Sequence, residues 1–289
     1  MTDKKTGSKI FSNMIFVTFA ALLCCALWGS ATPFIKIGSA LMIPQKHVPS
    51  TMLFAGVRFT FAGILTILIY SIARRKFLYP KRENVGKVAL IGSVQTVIQY
   101  IFFYIGLAHT SGVKGTIISG STAFCTILVS CLVFRQEKLT IRKTVACLIG
   151  FSGIILVNLK GLKLEMNLLG DCFVLFSAIA YGFSSSLMKI FSKDEDPVII
   201  SGYQFIMGGI FMIIIGLVFG GTIEISSLTA VGVMAYLSLL SAIAYALWGI
   251  LLKHNPVSRV SIFSFMTPVM GVILSMLMLT ESSNVSLLN

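Results

Sequence analysis

The chain has 289 residues, of which 56% are hydrophobic and only 11% are charged, with a mean hydropathy of +0.93. Soluble domains carry about 25% charged residues, so this composition excludes a soluble globular protein and indicates a polytopic membrane protein. The formal net charge of +13 would suit a nucleic-acid surface only if the basic residues formed one patch.

Nine apolar segments have the length expected of membrane-spanning helices. A helix needs roughly 20 apolar residues to cross ~30 Å of hydrocarbon at ~1.5 Å per residue. The first segment is too long for the apolar part of a signal peptide, so we interpret it as a permanent helix. In chain order the predicted helices lie at about 14–37, 51–73, 86–108, 112–134, 139–158, 168–191, 197–219, 228–252 and 256–280.

The basic residues of the connecting loops predict the orientation. If the N-terminus is cytoplasmic, the opposite loops hold only three basic residues, at 46, 160 and 163. Cytoplasmic loops carry the excess of Lys and Arg, so the pattern predicts a multi-pass protein of the cytoplasmic (plasma) membrane, with residues 1–13 as a cytoplasmic tail. We therefore expect the lipid bilayer, and not nucleic acid, as a partner. The sixteen basic residues on the predicted inner side are Lys4, Lys5, Lys9, Arg74, Arg75, Lys76, Lys81, Arg82, Lys87, Arg135, Lys138, Arg142, Lys143, Lys193, Lys253 and Arg259.

The sequence contains an internal repeat. Residues 56–64 read GVRFTFAGI and residues 202–210 read GYQFIMGGI. Further along, Tyr104 aligns with Trp248 and Glu137 with Glu281, both at an offset of 144 residues (248 − 104 and 281 − 137). The first copy, 14–158, has five helices, so after the extracytoplasmic linker 159–167 the second copy, 168–289, enters the membrane from the opposite face. Such inverted repeats are typical of carriers that open alternately to each side.

Polar residues inside the apolar segments are candidates for a substrate pathway, because burying them in lipid is costly. Trp28, Thr32 and Lys36 recur at every fourth residue and share one face of helix one. Tyr181, Ser185 and Lys189 repeat that spacing in helix six. Interfacial anchoring of the aromatic rings and snorkelling of the lysines toward the headgroups are alternatives that the sequence leaves open.

Arg58 lies ~10 Å along helix two, where a lipid-facing guanidinium would be severely penalised. We expect it to face a polar cavity, with snorkelling as the alternative; its repeat counterpart is the neutral Gln204. Helices three and eight carry polar stripes that serve either as a pocket or as interhelical hydrogen bonds. The candidates on these stripes are Gln95, Gln99, Ser241, Tyr245 and Trp248.

Pro33 and Pro268 fall within helices one and nine, where each removes a backbone donor and predicts a kink or an unwound turn. Lys36, Lys189, Glu137 and Glu281 are helix-end charges. We expect no metal and no cofactor, since the sequence has neither a metal-binding motif nor a P-loop. The sequence does not decide how transport is energised: proton exchange through His109 or Glu137 and simple facilitated flow are both compatible with it.

These segments resemble the EamA-type permeases of the drug/metabolite transporter superfamily over residues 15–281. The resemblance rests on ALWGSATPFIK (26–36), GVRFTFAG (56–63), IGLAHTSGVKGTII (105–118), the stretch 131–157, GDCFVLFSAIAYGFSSSLMK (170–189) and TPVMGVILSMLMLTE (267–281). Ser121 and Thr122 stand where the family often has a proline, and Tyr181 replaces a commoner tryptophan. The resemblance implies ten helices, cytoplasmic termini, and export or exchange of a small metabolite or drug through a central cavity.

The sequence thus predicts an all-α integral membrane transporter with about nine helices and a small-molecule substrate, either alone or as a homodimer. Only SSNVSLLN follows Glu281, which is too short for the tenth helix of the family pattern. A truncated, inactive permease or a non-transporting membrane protein is therefore the alternative. A polytopic membrane enzyme is the less favoured class, because the three histidines are scattered.

Overall fold

The computed structural model of the chain describes residues 10–43, 47–110, 112–158 and 167–274. Throughout these ranges the chain forms helices and no strands. The nine helices of the described chain are α1 (Met14–Met42), α2 (Val48–Ala73), α3 (Arg82–His109), α4 (Gly112–Gly120, Thr122–Leu128 and Val129–Val133), α5 (Ile141–Asn158), α6 (Leu168–Phe191), α7 (Pro197–Val218), α8 (Leu228–His254) and α9 (Val257–Leu274).

Seven of the helices within the described ranges are long and apolar enough to cross a membrane, namely α1, α2, α3 and α6 to α9. A shorter apolar helix, Ile117–Val133, lies in α4. The expected all-α membrane fold with about nine helices is confirmed. Glu281, the segment that follows it and nearly all of the linker lie outside the described residues, as does most of the N-terminal tail.

The repeat motif forms the contact between α2 and α7, which run antiparallel through the centre of the molecule. A Cβ atom added at Gly63 would lie 2.5 Å from the carbonyl oxygen of Gly202, and one at Gly56 would lie 2.8 Å from that of Gly209. Small residues at such positions allow membrane helices to approach closely. The four glycines shared by the two copies of the motif are therefore the surface on which the copies pack.

The flanking helices also pair across the repeats. α1 packs against α8, and α6 packs against α3. These two pairs are equivalent under the inverted repeat, since α6 is the counterpart of α1 and α3 is the counterpart of α8. Each helix pair around the centre thus takes one member from each repeat.

Three helices depart from regular α-helical geometry. The α3 helix contains a π-helical segment, Gly92–Ile98, and α4 ends in another, Val129–Val133. A 3₁₀ turn, Ile262–Phe265, precedes Pro268 in α9, and this proline cannot donate a backbone hydrogen bond to the preceding turn. Pro33, by contrast, lies inside α1, which continues through it.

The interruption of α4 occurs at the same repeat position as the 3₁₀ turn of α9. Subtracting the offset of 144 residues from 262–265 gives 118–121, and α4 is interrupted at Ser121. The hydroxyls of Ser121 and Thr122 each donate to a carbonyl three residues earlier, at distances of 2.6 Å. Such side-chain bonds compete with the helical ladder. They coincide with the interruption of α4, where the sequence has no proline.

Candidate substrate site between the two repeats

An aromatic cluster lies at the centre of the molecule. Phe59 of α2 and Phe205 of α7, which are repeat counterparts, stack with their centroids 5.0 Å apart. The two tyrosines that flank this pair, Tyr100 and Tyr245, have hydroxyls 3.0 Å from each other. We define the aromatic cluster as the chain of rings Trp248, Trp28, Tyr245, Phe205, Phe59 and Tyr100, in which neighbouring ring centroids lie 4.6–5.2 Å apart.

Arg58 borders this cluster. Its side chain is only 3% exposed, and its guanidinium carbon lies 4.3 Å from the centroid of the Phe59 ring. Among the described residues no carboxylate forms an ion pair with Arg58, and its Nε has no hydrogen-bond partner. Arg58 is therefore a buried cation without a counter-ion in the described chain.

Unpaired polar atoms concentrate on the helices that surround the cluster. Folded proteins pair the large majority of their buried polar side-chain atoms, so such a concentration needs an explanation. Eleven buried side-chain atoms lack a partner within the described ranges, and four of these lie outside the site, on Ser186, Asn255, Ser261 and Ser264. The other seven are Trp28 Nε1, Arg58 Nε, Gln95 Oε1, Gln99 Oε1, Tyr104 Oη, Gln204 Nε2 and Trp248 Nε1. Together they form a set of polar groups able to bind a ligand.

Several of the residues predicted from the sequence lie at or next to the cluster. Trp28, Tyr245 and Trp248 belong to it, and Gln204 neighbours Phe205 while its amide oxygen accepts a hydrogen bond from Thr96. Gln95 lies in the π-helical segment of α3, and Gln99 follows that segment directly. Insertions of this kind are frequent at functional sites. The structure thus brings residues of both repeats to one place.

Tyr181, another predicted residue, is buried in the same core as Phe59, Phe205 and Tyr245, and Ser185 is buried one turn later. Other predicted residues bond within their own helix or lie apart from the cluster. The hydroxyl of Ser241 donates to the Leu237 carbonyl of its own helix. Thr32 and Lys36 are exposed, because α1 extends beyond the cluster after Trp28. Of the helix-one residues with this spacing only Trp28 reaches the cluster, whereas in helix six Tyr181 packs against it.

Lys189 and Glu137 both bind helix ends. The Lys189 ammonium donates to the carbonyls of Leu252 and Asn255, where a cation complements the C-terminal end of α8. Glu137 pairs with Lys143 at 2.7 Å and accepts hydrogen bonds from the backbone N–H and the hydroxyl of Ser258, at the start of α9.

Burial raises the pKa of Glu137, but the bonds from Lys143 and Ser258 outweigh that effect and hold the pKa below its ordinary value of 4.5. The carboxylate is therefore charged at neutral pH. These contacts favour the structural interpretation of both helix-end charges.

Four members of the site were not predicted from the sequence, and the repeat carries a signal for three of them. Phe59 and Phe205 are the aligned aromatic residues of the repeated motif, and Tyr104 aligns with Trp248, whereas Tyr100 aligns with Ala244. Repeat equivalence could have found all three, since identical or similar side chains at equivalent positions meet near the axis of an inverted repeat. The π-helical segment has no such signal. Within the described residues no group of three or more metal-ligating side chains occurs.

The chain matches the EamA-like transporter family over residues 15–159 and 168–288, one match for each repeat. It is 23% identical over 265 residues to an uncharacterized transporter of Archaeoglobus fulgidus, covering 90% of this chain and 88% of the relative. It is 24% identical over 223 residues to the uncharacterized transporter YyaM of Bacillus subtilis, covering 74% and 72%.

A solved crystal structure matches with a TM-score of 0.71 at 15% identity, covering 89% of this chain and 88% of that one, which shows the fold alone. The family match over most of the chain carries the assignment. The protein belongs to the EamA-like transporter family and is a multi-pass membrane transporter.

Proposed function

We propose that the protein is a secondary transporter that moves a small organic molecule across the cytoplasmic membrane by alternating access, in export or exchange. The observation that carries the proposal is the set of seven unpaired polar atoms around the aromatic cluster. Pockets for small molecules combine apolar and aromatic walls with a few polar groups that orient the ligand. The two repeats contribute to this set together, as expected of a carrier whose site lies between its halves.

The interrupted helices support alternating access. α4 and α9 are broken at the same repeat position, at Ser121 and at Ile262–Phe265. Non-helical backbone at membrane depth is tolerated where it is buried in protein or lines a cavity. We propose that these two interruptions let the ends of α4 and α9 move on opposite sides of the site.

Exchange or facilitated flow fits the carboxylates better than a proton relay. Glu137, which the sequence left as a candidate proton carrier, is held by Lys143 and by the start of α9, with a lowered pKa. All seven carboxylates of the described ranges lie at helix ends or in loops. We therefore propose transport without a proton-carrying carboxylate inside the membrane.

Counterflow in proteoliposomes tests the proposal. Vesicles containing the purified full chain are loaded with a metabolite mixture and exchanged against the isotope-labelled mixture, and mass spectrometry identifies labelled solutes that enter. We expect at least one small organic solute to exchange, and we expect Trp248→Ala to lose this exchange. Phe211→Ala is the matched control, since Phe211 is an exposed aromatic residue of α7. Absence of exchange for every solute would favour a non-transporting membrane protein; chemical turnover without entry would favour an enzyme.

A further inference from the structure

The charge of Arg58 bears on the class of substrate. The candidate site contains this buried guanidinium and no carboxylate from the described residues. We infer that the transported molecule is an organic anion, whose carboxylate binds Arg58 while its apolar body packs against the aromatic cluster. The inference rests on the proposed transport function, because it takes the central site as the place where the substrate binds.

The first support is that Arg58 has no partner for its charge. A guanidinium presents five donors in a planar fork that matches a carboxylate, yet the described chain provides no carboxylate within ion-pair distance and no acceptor for Nε. Buried charges in proteins are normally paired. The Phe59 ring at 4.3 Å stabilises the cation only in part, since a benzene face is a weaker partner than an ion. A ligand carboxylate would complete the interaction.

The second support is the excess of donors among the unpaired atoms. Trp28 Nε1, Trp248 Nε1 and Arg58 Nε can only donate hydrogen bonds, and each lacks an acceptor in the described chain. Tyr104 can also donate. The amides of Gln95, Gln99 and Gln204 can present either end to a ligand, because their oxygen and nitrogen ends exchange by a flip. A ligand that satisfies this set has to be rich in acceptors, as a carboxylate is.

The aromatic rings raise the opposite possibility, because tryptophan and tyrosine faces also attract organic cations. Arg58 argues against a cation. Its guanidinium lies against the Phe59 ring of the cluster, so a second positive charge near these rings would be repelled at short range in a low-dielectric surrounding. A site for an organic cation would also need a carboxylate, and those of the described residues lie at helix ends or in loops. The sign of the buried charge therefore decides between the two ligand classes.

The chain carries its own reporter for this test. Its only two tryptophans, Trp28 and Trp248, lie edge to face within the cluster, with ring centroids 4.9 Å apart. Ligand binding at the site should change the intrinsic tryptophan fluorescence of the full chain in detergent or nanodiscs. Two matched probe sets share one apolar body and differ in the polar group: 3-phenylpropionate, 3-phenylpropylamine and 3-phenylpropanol, and hexanoate, hexylamine and hexanol. None of these probes fluoresces where tryptophan is excited.

We expect the acid of at least one set to bind about tenfold or more tightly than its amine and its alcohol. Arg58→Gln, which copies the residue at the repeat counterpart, should remove this preference, whereas Arg58→Lys should retain part of it. Arg259→Gln is the matched control, because Arg259 is an exposed arginine at the start of α9. Size-exclusion chromatography of each variant separates a lost site from a lost fold.

The outcomes separate this inference from the proposed function. Tighter binding of an amine or an alcohol, equal binding within both sets, or an acid preference that survives in Arg58→Gln would each overturn the inference. Counterflow of a cation or of a neutral solute would support the proposed transport function but would refute the inference that the substrate is an anion. Acid binding that depends on Arg58 in a protein without counterflow would support the anion site and refute transport.

Discussion

Arg58 is a residue whose placement costs stability. Burying an ion carries an effective penalty of several kcal/mol, while a cation–π contact such as that with Phe59 contributes about 1–2 kcal/mol when desolvated. Since Arg58 is 3% exposed and lacks an ion-pair partner among the described residues, the penalty is not offset within that part of the chain. Residues of this kind persist where function requires them, at the expense of stability.

Arg58→Gln should therefore stabilise the ligand-free protein. Removing an uncompensated buried charge is expected to raise the free energy of unfolding by about 1–3 kcal/mol, which appears as a higher midpoint in thermal unfolding followed by tryptophan fluorescence. Arg259→Gln, which removes an exposed charge, should change stability by less than about 0.5 kcal/mol. A marked loss of stability in Arg58→Gln alone would show that Arg58 organises helix packing.

Glu137 gives a prediction with a defined pH dependence. A carboxyl group whose folded pKa lies below its unfolded value stabilises the fold above the unfolded pKa, and this stabilisation is lost as the pH falls through the folded pKa. The pKa of Glu137 is lowered from 4.5, so Glu137→Gln should cost about 1–2 kcal/mol near neutral pH. The difference between the two proteins should shrink as the pH falls below about 4.5. A difference that stays constant with pH would contradict a role for the charge.

At the scale of elements, the helices could be predicted because the membrane imposes their length and composition. The segment 168–191 was expected from its apolar run and is α6 in the structure. The π-helical segment of α3 could not be predicted, because its environment is tertiary. A Cβ at Gly92 would lie 2.9 Å from the Gln204 carbonyl oxygen, and one at Gly208 would lie 2.5 Å from Thr96 Cβ. The π-helical segment lies where α7 packs closely against α3. No local sequence pattern predicts that contact.

The same distinction applies to the site. Tyr245 and Trp248 follow helical spacing on one face and were identified from that spacing. Thr32 satisfies the spacing equally well but is exposed, since helical periodicity gives the face of a residue and not how far along the helix the neighbouring helices reach. Phe59 and Phe205 look like ordinary core residues in either repeat alone. Their meeting across the centre follows only from how the two copies pack.

The α2–α7 contact provides a prediction about these glycines. In Gly63→Ala the new methyl group would lie 2.5 Å from the Gly202 carbonyl oxygen and 2.8 Å from the Ile206 nitrogen, so the two backbones must separate. We expect a loss of about 2 kcal/mol or more, measured by thermal unfolding. Gly232→Ala in α8 is the control, because a Cβ there meets nothing within 4 Å and alanine favours a helix by up to about 1 kcal/mol. Equal stability of the two variants would disprove close packing at Gly63.

At the scale of the whole molecule, the contacts between equivalent loops differ at the two ends. At the end predicted to be cytoplasmic, the acidic loop between α6 and α7 binds the end of α2 and the start of α3, with Arg74 paired to Asp196 at 2.5 Å and Lys87 paired to Asp194 at 2.6 Å. At the opposite end the equivalent loops meet through a hydrogen bond from the Glu224 backbone N–H to the Met42 carbonyl. Equivalent loops of the two repeats are thus in contact at both ends, but only the contact at the predicted cytoplasmic end is made by ion pairs.

A native cysteine allows a direct test of the orientation inferred from the basic loops. Cys172 in α6 is exposed, whereas the other five cysteines are buried. With a cytoplasmic N-terminus, five helices precede α6, so its first turns lie at the outer face. A membrane-impermeant maleimide should therefore label the native chain in intact cells, and Cys172→Ser should abolish the labelling.

The opposite face is tested in the Cys172→Ser background with Lys76→Cys, a substitution in the exposed loop between α2 and α3. This variant should be labelled only after the membrane is permeabilised, because the positive-inside pattern puts that loop in the cytoplasm. The reverse result, with residue 76 labelled in intact cells and Cys172 protected, would invert the orientation. The ion pairs Arg74–Asp196 and Lys87–Asp194 would then lie at the outer face of the membrane instead of the cytoplasmic face.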